Sequence, residues 1–222
     1  MNLPASLLPE DWLWLGWLLA FGSLFRAIRA EHWRKLSSTQ VSSWLAASLL
    51  MMLLWQLNAH LKPGLNLHLL GATLLTLIAG PHRALLGVAG ALGLLSVTGH
   101  HDFASWGMNV LLMGEIPVWL TSLALRLARR YLPPNFFVYI FINGFLMGAV
   151  SQWLVNTASA CLLAGAGAYD LSYLLDEHLP YAFLLGWSEA FTTGFLATLL
   201  VIYRPTWVST FDDTFYLFRR EP

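Results

Sequence analysis

Seven apolar runs, each bounded by polar or charged residues, recur along this chain at 12–28, 41–59, 65–79, 84–98, 106–125, 135–166 and 179–203. A membrane-spanning helix needs about 20 apolar residues, with a range of about 17–25, so most of these runs are long enough and two are short. Only 11% of the chain is charged and 57% is hydrophobic, against about 25% charged residues in a soluble domain. The expected fold is therefore an all-α integral membrane protein, one transmembrane domain over 1–222 with about seven transmembrane helices. The lipid bilayer is its surroundings. A formal net charge of zero gives no reason to expect nucleic acid as a partner.

Seven crossings allow a test by charge. With the N-terminus outside, the inner segments are 29–40, 80–83, 126–134 and 204–222. Counting Arg26 at its helix end, eleven of the twelve Lys and Arg residues then lie inside, and only Lys62 lies outside. The positive-inside bias predicts an outside N-terminus, a cytoplasmic C-terminus and a multi-pass protein of the plasma (inner) membrane. The same test keeps 135–166 as one long helix, because splitting it would place Arg204, Arg219 and Arg220 outside. Glu10 and Asp11 precede the first run and no basic segment does, so the start does not read as a cleavable signal. The short third and fourth runs meet at Gly80-Pro81 and predict a re-entrant or tightly turned pair. The single cysteine, Cys161, allows no internal disulfide and reads as a small buried hydrophobe.

Several polar residues interrupt the apolar runs. His68 stands near the mouth of the third, where an imidazole is costly without a partner. Neutral imidazole ligates transition metals; the plainer reading is a hydrogen bond to a neighbouring helix. Asn109 would orient a ligand or join two helices. Glu115 and Glu189 sit in apolar surroundings and must be paired, protonated or functional. Gln152, Asn156 and Ser159 recur at helical spacing and read as glue between helices. His100-His101-Asp102 reads as an outer metal-collecting patch or, more plainly, as an ordinary solvated loop; His60 and His178 also fall near the outer surface, and His82 falls inside. Gly16 and Ala20 form a small-residue pair, suited to a partner subunit or to packing within the bundle. No HExxH, GxSxG or phosphate-binding P-loop sequence occurs, so the chain is read as non-catalytic. Any ATP hydrolysis falls to other subunits.

The stretch PGLNLHLLGATLLTLIAGPHRALL at 63–86 resembles the signature of the CbiM/NikM family. WGMNVLLMGEIPVW at 106–119 resembles the family's following block. HLPYAFLLGWSEAFTTGFLATLLVIYRPTW at 178–207 resembles its last helix, and MNLPASLLPEDWLWLGWLLA at 1–20 its N-terminal segment. The family comprises the substrate-binding membrane subunits of energy-coupling factor transporters for cobalt and nickel. The resemblance implies a seven-helix fold whose N-terminal segment tucks into the bundle. It also implies a metal held by the terminal amine, which maps to Met1, by residue 2, and by the histidine of the HLLGA block, which maps to His68. Here the chain departs from the pattern: residue 2 is Asn2 rather than histidine, and residue 5 is Ala5 where aspartate is usual. An amide oxygen is a much poorer ligand for nickel or cobalt than imidazole. Asn109, Glu115, Glu189 and His60 are possible supporting residues.

The resulting expectation is a substrate-capture subunit for transition-metal uptake, carrying nickel or cobalt, with zinc or copper also open. No permanently bound cofactor is expected. A transmembrane coupling subunit and cytoplasmic ATPases would be its partners. The alternative is a diverged stand-alone membrane protein that serves as an assembly or interaction partner without transport.

Overall fold

The computed structural model describes residues 2–60 and 62–217. Within them the chain forms eight helices: α1 (Glu10–Ala30), α2 (Ser38–Leu54), α3 (Ala72–Ala79), α4 (Pro81–Val97), α5 (Trp106–Tyr131), α6 (Phe136–Gly165), α7 (Leu171–Tyr203) and α8 (Asp213–Tyr216). Two short strands, β1 (Ala59–His60) and β2 (Asn66–Leu67), pair antiparallel, with Ala59 opposite Leu67 and His60 opposite Asn66. Met1 and the side chain of His60, both singled out from the sequence, lie outside the described residues.

Four helices, α1, α5, α6 and α7, are long and apolar enough to cross a membrane, while α2 and α4 are apolar helices of 17 residues each. The run 135–166 forms one helix, as expected, within Phe136–Gly165. The third run behaves differently. Only Ala72–Ala79 is helical, 8 residues or about 12 Å, while 65–71 is non-helical and includes β2. Gly71, at φ 69°, takes the left-handed conformation that starts α3, a conformation glycine adopts without steric cost. Gly80, at φ 80°, ends α3, and Pro81 opens α4 at its first position, where the missing N–H of proline costs nothing. The expected tight turn between the two short segments is thus present.

A helix as short as α3 leaves carbonyls at its C-terminal end without helical partners. The segment after α7 supplies donors. Ser209 N–H donates to the Ile78 carbonyl at 2.9 Å, and the Thr210 hydroxyl donates to the Leu77 carbonyl at 2.7 Å. Arg129 on α5 in turn donates to the Thr210 carbonyl at 2.6 Å.

Three helices contain wide π-helical turns, at Leu111–Glu115 in α5, Tyr139–Leu146 in α6 and Leu174–His178 in α7. The first precedes Pro117 and the last precedes Pro180. Proline lacks the N–H for the regular bond and its ring crowds the preceding turn, so the chain widens there. Buried apolar side chains from the N-terminal segment, the residue just past α2, the segments flanking β2, and α6 form one core containing Leu3, Trp55, Leu65, Leu70 and Leu163. Trp14, Leu18 and Phe21 on α1 and Phe183, Leu184 and Phe191 on α7 point outward, as lipid-facing side chains do. Cys161 is also exposed, against the expectation of burial; it lies on the outer face of α6, where its apolar thiol suits lipid.

Helices α1 and α5 cross with their backbones in contact. A Cβ added to Gly107 would stand 2.5 Å from Trp17 N and 2.6 Å from Trp17 Cα, and one added to Gly16 would stand 2.9 Å from Met108 N. Ala20 is fully buried beside this crossing. The small pair Gly16 and Ala20 therefore packs inside the bundle, not against another subunit. Gly107→Ala is expected to destabilise the protein by about 1–3 kcal/mol, because backbone atoms cannot rotate away as a side chain can. Thermal unfolding in detergent, read by circular dichroism, measures the fall in midpoint.

Candidate metal-binding site

The β1–β2 hairpin delivers the chain to His68, whose side chain is only 5% exposed. Its Nδ1 lies 3.0 Å from the Leu69 carbonyl, and its ring centroid lies 6.0 Å from that of Trp55. The backbone that carries it is held from three helices. Gln152 on α6 donates to the His68 carbonyl at 3.2 Å. The Trp55 indole, just past α2, donates to the Leu70 carbonyl at 2.9 Å. Glu189 on α7 accepts from Leu70 N–H at 2.9 Å and from Gly71 N–H at 2.8 Å, one with each carboxyl oxygen. A non-helical backbone at membrane depth persists only where protein groups satisfy it, and these four bonds do so here.

The N-terminal segment enters the same end of the bundle. Leu3 is fully buried and shares a core with Leu65 and Leu70. Pro4 and Leu7 lie against Gly64. Asn109 on α5 holds the segment: its Oδ1 accepts from Leu3 N–H at 2.9 Å, while its Nδ2 donates to the Leu3 carbonyl at 3.0 Å, to Asn2 Oδ1 at 2.7 Å and to Ser105 Oγ at 3.1 Å. Asp102 adds a second tie by accepting from Ala5 N–H at 2.9 Å. Asn109→Ala is expected to cost about 1–3 kcal/mol, because it leaves buried Leu3 groups without partners. Limited proteolysis of the first residues, faster in the variant than in the parent, checks whether the segment has been released.

The structure separates the other residues singled out from the sequence. Glu115 lies six residues beyond Asn109 on α5, about 9 Å further along the helix. It faces Arg26 at 3.6 Å and lines a groove of about 540 Å³ with His82, Arg126 and Arg129, at the end of the bundle away from Asn109. Glu189 is brought to the His68 loop, but both its oxygens are occupied by backbone N–H groups. Among the described residues, no three of His, Cys, Asp and Glu gather as a metal cluster. Asp102 anchors Ala5 N–H and Ala104 N–H, so the His100-His101-Asp102 patch uses its carboxylate on backbone. Burial pushes the His101 imidazole down to about 4, which leaves it neutral at physiological pH.

Three partners of this region were not legible as such. Trp55 reads in the sequence as one aromatic among eleven tryptophans. Asp102 reads as an ordinary loop carboxylate. Gln152 reads as helix glue, and it does join α6 to the His68 loop through a backbone carbonyl.

Comparison with known proteins places the chain in a family and a fold. The sequence matches the family model described as "CbiM: Cobalt uptake substrate-specific transmembrane region" over residues 2–207. No curated protein matches it. The fold is similar to a crystal structure of a truncated transition metal transporter, with a TM-score of 0.80 and 20% identity over 91% of this chain and 99% of that one. It is also similar to a crystal structure of a transition metal transporter, with a TM-score of 0.79 and 20% identity over 90% of this chain and 92% of that one. At this identity the likeness establishes the fold.

Proposed function

The chain belongs to the CbiM family of substrate-specific transmembrane regions for cobalt uptake, and from that premise we propose how it captures its ion. It is a non-catalytic, multi-pass membrane component of a transition-metal uptake transporter of the energy-coupling factor type. The His68 imidazole is the principal side-chain ligand, and the N-terminal segment held by Asn109 closes the site around the ion. Nickel and cobalt are the leading substrates, because the matching family model is one for cobalt uptake and imidazole ligates ions of this class.

The observation that carries this reading is the fastening of residues 68–71. Four bonds from Gln152, Trp55 and Glu189 hold the backbone from the His68 carbonyl to Gly71. Ordering a ligand before the ion arrives removes an entropic cost from binding. In this reading Glu189 is a positioning residue, Asn109 positions the N-terminal segment, and Glu115 takes no part in capture. Asn2 is at best a weak ligand, since its amide oxygen already accepts from Asn109.

The ion enters from outside in this scheme. The N-terminus and the His68 loop face outward, and the C-terminus faces the cytoplasm, as the distribution of Lys and Arg supports. The chain acts as one transmembrane domain. Energy comes from a transmembrane coupling subunit and cytoplasmic ATPases. The family match across residues 2–207 favours this role over that of a stand-alone assembly protein.

The test is metal titration of the purified protein, with its first residues unmodified, against nickel, cobalt, zinc and copper. Binding of one ion per chain is expected. Absence of binding by all four would sink the capture reading.

A further inference from the structure

His178 stands at the end of the π-helical turn of α7 and is 1% exposed, yet neither ring nitrogen has a hydrogen-bond partner among the described residues. Whichever tautomer the ring adopts, a lone pair is left without a donor and an N–H without an acceptor. Leaving such groups buried and unpaired costs about 1–3 kcal/mol, so a native structure has to give a reason for them. A histidine that merely ties helices together would show a bond to one of them.

The anomaly is not isolated. The facing helix α6 carries Gln152, Asn156 and Ser159 on its inner side, all fully buried. Gln152 Oε1, Asn156 Oδ1 and Ser159 Oγ also lack partners among the described residues. The two amide oxygens can only accept, so what they need is a donor or a cation.

Helix register connects these groups to His178. Helices α6 and α7 run antiparallel in close contact: a Cβ on Gly144 would lie 3.3 Å from Gly194 Cα, and one on Gly148 would lie 3.2 Å from Ala190 Cα. Trp153 Nε1 donates to the Phe183 carbonyl at 3.0 Å, which continues the same register. Carried on, it sets Asn156 opposite Ala182, and Ser159 with Ala160 opposite His178. At the other end of this polar row, Gln152 Nε2 donates to the His68 carbonyl. Gln152 and Ala160 are about 12 Å apart along α6, a distance that two histidine side chains with an ion between them can bridge.

We propose that His178 supplies a second imidazole to the captured transition-metal ion, compensating for the histidine absent at residue 2, with the amide oxygens of Asn156 and Gln152 beside it. This rests on the capture reading given above. It accounts for a buried histidine that no group among the described residues satisfies. It also gives the row Gln152, Asn156 and Ser159 a role beyond joining helices. The wide turn before Pro180 is part of the device, because it sets where on α7 the imidazole emerges. π-Helical turns recur at functional sites.

The experiment compares the parent with His178→Gln, His101→Gln and His68→Ala. Affinity is measured by nickel(II) and copper(II) titration, and pulsed electron paramagnetic resonance of the copper(II) form counts the bound imidazoles. Two imidazoles are expected in the parent and one in His178→Gln. The latter should show an affinity loss of about 10-fold or more, the scale on which outer-shell partners already act. Its metal-free thermal midpoint should not fall, because no hydrogen bond among the described residues is removed. A purely structural histidine would give the opposite pair of results, a lowered midpoint with unchanged affinity. Unchanged affinity in His178→Gln, or loss in His101→Gln in its place, would overturn the assignment of His178. Where that happens while His68→Ala still abolishes binding, the capture reading stands alone. A parent that binds none of the metals defeats both.

Discussion

His68→Ala is expected to lower the affinity for the transported ion by more than about 100-fold. Changes to outer-shell partners alone cost about 10–100-fold in metal affinity, and this variant removes a ligand itself. The fold should survive. His68 is fastened through its backbone, by Gln152 on its carbonyl, and the neighbouring Leu70 and Gly71 bonds do not involve the imidazole. The variant opens a cavity of only one side chain beside Trp55. Affinity and stability should therefore separate: isothermal titration shows the loss, while the metal-free thermal midpoint moves by a few degrees at most. In the parent, added metal should raise the midpoint in proportion to the logarithm of its concentration; in His68→Ala that rise should vanish. A His68→Ala protein that keeps the parent's affinity would remove the imidazole from the mechanism.

Glu189→Ala should have the opposite signature, a loss of stability that carries affinity down with it. Its two oxygens accept from Leu70 N–H and Gly71 N–H at 2.9 and 2.8 Å, and the residue is 1% exposed. Alanine leaves both donors buried without their carboxylate, at about 1–3 kcal/mol each, with only the Thr193 hydroxyl nearby among the described residues. The expected destabilisation is about 2–5 kcal/mol. Gly71 is the left-handed residue from which α3 starts, so the loop and the first turn of α3 should loosen together. Glu189→Gln separates charge from shape: its amide oxygen can serve one N–H, but its NH₂ meets the other, donor against donor. It should fall between parent and alanine. The readouts are thermal midpoint in detergent and hydrogen exchange of the Leu70 and Gly71 amides, which should speed up in both variants. Protection at those amides equal to the parent's would mean that the carboxyl does not hold the loop.

Much of the architecture can be read without coordinates. The long run 135–166 reads as one helix and forms one, Phe136–Gly165. The turn at Gly80-Pro81 stands where glycine and proline require it. The HLLGA block drew attention to His68, and the family resemblance indicated that the N-terminal segment enters the bundle, where Leu3 is fully buried. The third run misled on helix length. Residues 65–71 are apolar enough for a span, but β2 and the left-handed Gly71 keep them out of the helix, and apolarity alone does not distinguish a buried loop from a buried helix.

The roles of the polar residues were the illegible part. Asn109 and Glu189 could each be named from the sequence, because a polar group in an apolar run stands out. Their partners could not. Leu3 is 106 residues from Asn109, and Leu70 and Gly71 are 119 and 118 residues from Glu189. Which stretches leave water is a sum over neighbouring residues, so the membrane character, the main helices and the residues worth watching were legible in the chain. Which polar groups meet depends on how the helices pack and in what register, and that arrangement has no local signature in the chain. Packing settles that Glu189 clamps backbone, that Asn109 holds the N-terminal segment, and that the imidazole of His178 is buried with neither nitrogen bonded among the described residues.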